Sequence, residues 1–166
     1  MLNFQTELTR DGRTLKRPVN YALVRIVPPG EATTDPAKAS IIFVDPRAGH
    51  GPGIGGMKQD SEIGVALAAG HPCYFVGFLA KPVPRQTIED TCCAEALFVE
   101  EVAARHLHAE GKLIIIANCQ AGWQVMMMAA FTPDLTGPIL LAGPIGLVCA
   151  GKTRCATWVA CSAAPG

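Results

Sequence analysis

A chain of 166 residues that is 49% hydrophobic and 17% charged is long enough for one packed domain and too apolar for a disordered segment. Fourteen Lys and Arg balance fourteen Asp and Glu, which removes the basic footprint of a nucleic-acid binder. The longest strongly apolar run, Leu113 to Ala117, falls far short of the roughly 20 residues that cross a bilayer, and the opening MLNFQTELTRDGRTLKR has no apolar signal core. A cytoplasmic chain with no membrane span is therefore expected. Seven Cys in irregular spacing, without a CxxC pair, argue for reduced thiols over a disulfide framework or a zinc site, and no metal or cofactor is expected.

In chain order, residues 1–20 are polar without a sustained period and read as a lead-in. Tyr21 to Val27 and Ala39 to Val44 read as buried strands, the first closed by Pro28, Pro29 and Gly30. Asp45 to Gly56, DPRAGHGPGIGG, is a Gly- and Pro-rich loop. A helix follows over Met57 to Ala69, with Asp60 and Glu62 in its first turns and Gly70 as its stop. Next come a strand over His71 to Leu79, a Pro-punctuated loop, and a long amphipathic helix over Thr87 to His106, with Ile88, Ala94, Leu97, Phe98 and Val102 on one face. Leu113 to Ala117 is a strand, Gln120 to Phe131 an apolar helix stopped near Pro133, and Pro138 to Ala142 a further strand. This alternation predicts an α/β fold: a mostly parallel sheet with helices on both faces and ligands at the carboxyl ends of strands. Two loops occupy such ends, Asp45 to Gly56 and Asn118 to Gly122.

The second loop carries chemistry. Ala117, Asn118, Cys119, Gln120 and Ala121 place a nucleophile between small residues two positions to either side, at a strand-to-helix junction. That is the pattern of the G-x-S-x-G nucleophile elbow, whose sharp turn brings backbone and helix close enough to demand small neighbours. Here Ala stands in place of both glycines, and Gly122 follows. The amino end of the next helix stabilises a thiolate at Cys119, and the N–H of Gln120 is one candidate oxyanion donor. The second donor belongs to the loop after the earlier strand. Pro46 has no N–H, so the candidates are Arg47 and Ala48. His50, in the same loop, is a candidate substrate-binding residue; a solvated loop imidazole is its bland alternative.

The segments DPRAGHGPGIGG, FVGFLAKPVPRQTIED and ANCQAGWQVMM, spanning about Asp45 to Gly143, resemble the poly(3-hydroxyalkanoate) synthase-like branch of the α/β-hydrolases. Those synthases carry Cys in a lipase-like box, G-x-C-x-G-G, to which ANCQAG is similar with both outer glycines relaxed to Ala and the last kept as Gly122. The resemblance implies an α/β-hydrolase fold and Cys119 as the residue that holds an acyl group as a thioester. It further implies acyl transfer from a hydroxyacyl-CoA or ester, hence a small-molecule or polymer acyl substrate.

Other readings compete. Gly51, Gly53 and Gly56 satisfy G-x-G-x-x-G, as in a dinucleotide-binding domain, but the next strand ends in Gly77, Phe78 and Leu79 where a ribose-binding acid is wanted, and Pro52 interrupts the loop. No Gly-Lys-Ser/Thr exists for a phosphate loop of Walker type. His106 and His108 suit a helix carboxyl end better than a metal, Cys92, Cys93, Trp123 and Met126 to Met128 suit a core, and Glu89, Asp90, Glu100 and Glu101 suit a solvated face.

The pattern also breaks. A hydrolase triad runs nucleophile, acid, histidine, yet no His follows His108, and the only carboxylate after Cys119 is Asp134, too early for the acid. Activity impaired in this chain is therefore expected, with a non-catalytic protein binding acyl or polymer surfaces as the alternative. After Gly143 the periodicity dissolves into PIGLVCAGKTRCATWVACSAAPG. Read in another frame, codons permitted for Lys152 to Gly166 spell a string similar to the family's continuation, so a frameshift is expected there. The organisation expected is thus a lead-in over 1–20, a partial α/β-hydrolase domain over 21–143 that is incomplete at its carboxyl end, and an irregular, out-of-frame tail over 144–166. An uncovered sheet edge in such a fragment predicts self-association.

Overall fold

The computed structural model describes residues 4–46 and 61–142. Among the described residues six strands form one sheet: β1 (Thr6–Asp11), β2 (Tyr21–Ile26), β3 (Ile41–Val44), β4 (Cys73–Phe78), β5 (Ile114–Asn118) and β6 (Ile139–Ala142). The spatial order is β1-β2-β4-β3-β5-β6. β1 and β2 enter antiparallel, while β4, β3, β5 and β6 run parallel to one another. Among the described residues three helices connect the parallel strands: α1 (Glu62–Ala68), α2 (Ile88–Arg105) and α3 (Gln120–Phe131).

Period-two alternation sorts the side chains of this sheet onto two faces. Ile42 and Val44 of β3, Tyr74 and Val76 of β4, and Ile115 and Ala117 of β5 point to one face, where Phe98 and Val102 of α2 and Ala121, Val125 and Met128 of α3 close over them. Ile41, Phe43, Cys73 and Phe75 point to the other, where Ile63, Ala66 and Leu67 of α1 cover them. The helices thus lie on both sides, as the alternation of elements requires. Among the described residues no helix is long and apolar enough to cross a membrane.

Helix ends follow their local chemistry. Ser61 caps α1 by accepting from the Gly64 N–H, and the helix closes with Gly70 N–H to Leu67 and His71 N–H to Ala66, a Schellman pair that places Gly70 at φ 86°. Thr87 and Asp90 form a reciprocal capping box at the start of α2.

Several expectations need correction. Residues 1–20 contain β1 and a 3-10 turn over Gly12–Thr14, so the stretch is part of the sheet and not merely a lead-in. Its polarity misled because β1 is an edge strand with exposed faces, and its arginines have partners on α2. Arg10 pairs with Glu101 and Arg17 with Glu89 and Asp90, so the acidic face of α2 is not simply solvated. Burial works against the charge of Asp90, yet the hydroxyl and N–H of Thr87 and the Arg17 guanidinium hold its carboxyl below the usual range. Ile88 is exposed at the first turn of α2 instead of sharing the buried face of Ala94, Phe98 and Val102, and Met126 is exposed while Met128 is buried. Finally, Cys73, Cys92 and Cys119 are free thiols, whereas Cys93 is disulfide-bonded.

Candidate functional site

The junction of β5 and α3 is a sharp elbow with Cys119 at its apex. Cys119 adopts φ 51° and ψ −122°, and among the described residues only Arg85 shares a positive φ without being glycine. For a side chain with a Cβ this conformation costs on the order of 1–3 kcal/mol and persists only where the surroundings impose it. They do so here. The Cys119 N–H donates to the Ala142 carbonyl of β6 at 2.9 Å, its carbonyl accepts from the Gly122 N–H at 3.1 Å, and α3 begins at the next residue. Ala117 and Ala121 are completely buried against the elbow, which is why small residues stand two positions to either side.

The Cys119 side chain is partly exposed and makes no capping bond to α3. Its thiol is thereby left available at the amino end of a twelve-residue helix. Gln120 is the first residue of that helix, so its N–H is one of the donors without an intrahelical acceptor. Burial pushes the other two free thiols, Cys73 and Cys92, up to about 12. Arg47, Ala48 and His50, the remaining candidates, and the glycines Gly51 to Gly56 lie outside the described residues, as does the tail after Ala142.

Topology decides which described side chains share the edge of the sheet that carries Cys119. The elbow follows the carboxyl end of β5, whereas Asp134 precedes β6, which runs parallel to β5, and so lies at the opposite edge of the sheet. His71 immediately precedes β4, with its Nδ1 against the Ala39 carbonyl at 2.8 Å. His106 caps the carboxyl end of α2, where its Nε2 meets the Tyr74 hydroxyl at 2.9 Å and burial, with Arg25 and Arg105, lowers its pKa. His108 lies just beyond it, before β5. His106, Ser40, Lys112, Leu113 and Asp134 line a crevice of about 240 Å³ at that far edge. Thus His71, His106, His108 and Asp134 are all remote from Cys119. The described residues hold no group of three or more His, Cys, Asp or Glu able to grip a metal ion.

Two polar arrangements near the elbow went unread in the sequence. Asn118, the last residue of β5 and only 6% exposed, donates from Nδ2 to Glu62 Oε2 of α1 at 2.9 Å. Behind the elbow, Glu95 of α2 and Gln124 of α3 are buried in the apolar layer, and the Tyr21 hydroxyl donates to Gln124 Oε1 at 3.3 Å. Burial raises Glu95 to about 8; the facing Gln124 side chain offsets this in part, although neither carboxyl oxygen reaches hydrogen-bonding geometry with a partner among the described residues. A signal for Glu95 exists in the sequence, because Cys92, Phe98 and Val99 flank it at helical spacing.

Thermogutta terrifontis esterase 2 in its apo form is similar with a TM-score of 0.50 at 15% identity, over 91% of this chain and 59% of that one. A 2-hydroxy-6-oxo-6-phenylhexa-2,4-dienoate hydrolase from Rhodococcus sp. strain RHA1 is similar with a TM-score of 0.49 at 15% identity, over 91% of this chain and 49% of that one. The fold is that of the α/β-hydrolases. An "Uncharacterized protein in ackA 5'region" of Rhizobium meliloti is 63% identical over 143 residues, which are 86% of this chain and 20% of that protein. The chain therefore spans about a fifth of the length of this curated relative. Residues 1–153 match the family described as "Protein of unknown function (DUF3141)", and the chain belongs to that family.

Proposed function

We propose that this chain carries the nucleophile-bearing part of an acyl-transfer site, in which Cys119 accepts an acyl group as a thioester. The observation that supports this most is the strained, partly exposed Cys119 between β5 and α3, flanked by two fully buried alanines. In the proposed step the Cys119 sulfur attacks the carbonyl carbon of an ester or thioester. A carbon–sulfur bond forms, the bond to the alcohol or thiol leaving group breaks, and that group departs with the electron pair and takes up the proton released by the thiol. The Gln120 N–H, with a second donor from Arg47 or Ala48, would hold the developing oxyanion, and His50 would contact substrate. A cytoplasmic polyhydroxyalkanoate synthase-like transfer from hydroxyacyl-CoA is the substrate class we favour, on the likeness of ANCQAG to the synthase box. The synthases' base has no counterpart among the described residues near Cys119, so turnover in this chain is expected to be impaired.

The test is intact-mass analysis after exposure to p-nitrophenyl butyrate at pH 8, with the adduct mapped. One butyryl group on Cys119, with Cys73 and Cys92 unmodified, is the expected result. At that pH thiols near 12 are ionised to only about one part in ten thousand. Equal or absent labelling would sink the proposal.

The placement of His71, His106, His108 and Asp134 at the far edge favours a second reading, a hydrolase-fold protein that binds acyl or polymer surfaces without covalent chemistry. Retention of the chain on polymer granules without acylation would favour it. We further infer self-association along β6, which ends the sheet among the described residues and leaves Leu140 more than half exposed. Sedimentation of the purified chain as a dimer or larger is expected, and a clean monomer would refute it.

A further inference from the structure

The bond between Glu62 and Asn118 joins the first turn of α1 to the residue just before the elbow. Alternation along β5 sends Ala117 to the face covered by α2 and α3, and sends Asn118, like Ile114 and Ile116, to the face covered by α1. An ionised carboxylate only accepts hydrogen bonds, so Glu62 dictates which end of the Asn118 amide faces it. Nδ2 turns toward Glu62, while the buried Oδ1 has no partner among the described residues. Asn118 is therefore held by a single oriented side-chain bond, at a position where rotation of one peptide would release the positive φ of Cys119. On the β6 side, the Cys119 N–H to Ala142 bond holds the same turn.

We propose that Glu62 is a positioning residue for Cys119: acting through Asn118, it holds the strained turn so that the thiol stays at the amino end of α3 and beside the Gln120 N–H. The inference rests on the reading of Cys119 as acyl acceptor and adds to it a residue that never touches substrate. Its consequence is selective. Acyl transfer depends on where the sulfur and the oxyanion donor stand relative to the carbonyl, whereas alkylation by a small reagent requires only an ionised, exposed sulfur.

The experiment compares single-turnover acylation by p-nitrophenyl butyrate with alkylation by iodoacetamide across pH 6–9, in the full chain and its variants, alongside thermal melting. Glu62→Ala is expected to lower the limiting acylation rate by about tenfold or more while alkylation changes by no more than about threefold and the concentration dependence is kept. Glu62→Gln, whose Oε1 accepts the same bond, should restore the rate. Where Glu62→Ala does not fold, Asn118→Asp sets two carboxylates against each other and should show the same selective loss, relieved when Glu62→Gln is added to exchange donor and acceptor. Acylation in Glu62→Ala at the parent rate overturns the proposal, as does a parallel fall of acylation, alkylation and melting temperature, or a failure of Glu62→Gln to rescue. A parent chain that is never acylated at Cys119 overturns the acyl-acceptor reading and this inference with it; a parent that is acylated with Glu62→Ala unchanged overturns this inference alone.

Discussion

Glu95→Gln is expected to raise the melting temperature at pH 8 by roughly 3–10 °C, and to leave it nearly unchanged at pH 4. Burial in the layer between α2, α3 and the sheet raises the Glu95 carboxyl to about 8 from an ordinary value of 4.5. Below 4.5 both the folded and the unfolded chain hold the proton, so no penalty exists. Between 4.5 and about 8 the unfolded chain has released it while the folded chain retains it. The folded state then binds more protons, and stability falls as pH rises through this window and levels off above it. A neutral Gln removes that slope. Its amide is itself buried, which returns part of the gain, so a net stabilisation of about 1–3 kcal/mol at pH 8 is expected. Differential melting of parent and variant from pH 4 to 9 is the measurement. It isolates Glu95 from Asp90 and Asp11, whose depressed carboxyls contribute stability that is lost only as pH falls below their ordinary value of 3.8. Parallel curves for the two proteins would show that Glu95 does not titrate in this window.

Cys119→Gly should do two opposite things: stabilise the fold by about 1–2 kcal/mol and abolish covalent acylation. At φ 51° and ψ −122° the Cβ of Cys119 is the source of the strain, and glycine reaches positive φ without that cost. Part of the gain is returned because a glycine is more flexible in the unfolded chain. Cys119→Ala keeps the strain while removing the sulfur, so it should lose acylation without gaining stability. Chemical denaturation of the three proteins, with p-nitrophenyl butyrate labelling alongside, decides the matter. A Gly variant less stable than the Ala variant would mean that the turn is not strained as described, and that the elbow carries no stored conformational energy.

Much of the fold was legible because short-range physics dictates it. The β-branched and aromatic run 41–44, the β-branched run 114–116, the apolar helix bounded by Cys119 and Pro133, and the Gly70 stop each announce themselves by residue type and spacing, and the structure places its elements within a few residues of them. The sharp turn at Cys119 was legible for the same reason, since small residues at 117 and 121 around a strand-to-helix junction are a local requirement. β1 was not, because an edge strand with both faces wet has no hydrophobic alternation to display. Its place is set by β2 and by Arg10 and Arg17 reaching acids 72 to 91 residues away.

The residues around the elbow divide along the same line. Composition and order alone determined that all four His precede Cys119, and that in this sequence Cys119 is followed by a single side-chain carboxylate. Only the tertiary structure decided that His71, His106, His108 and Asp134 stand at the wrong edge, because the direction of a parallel strand, and not distance along the chain, sets which end of the sheet a flanking residue occupies. Only packing turned Glu95 into a buried acid, since the apolar layer that raises its carboxyl is assembled from α2, α3 and β2 together. And only the meeting of α1 with β5 joined Glu62 to Asn118, two polar residues 56 positions apart that no local pattern connects.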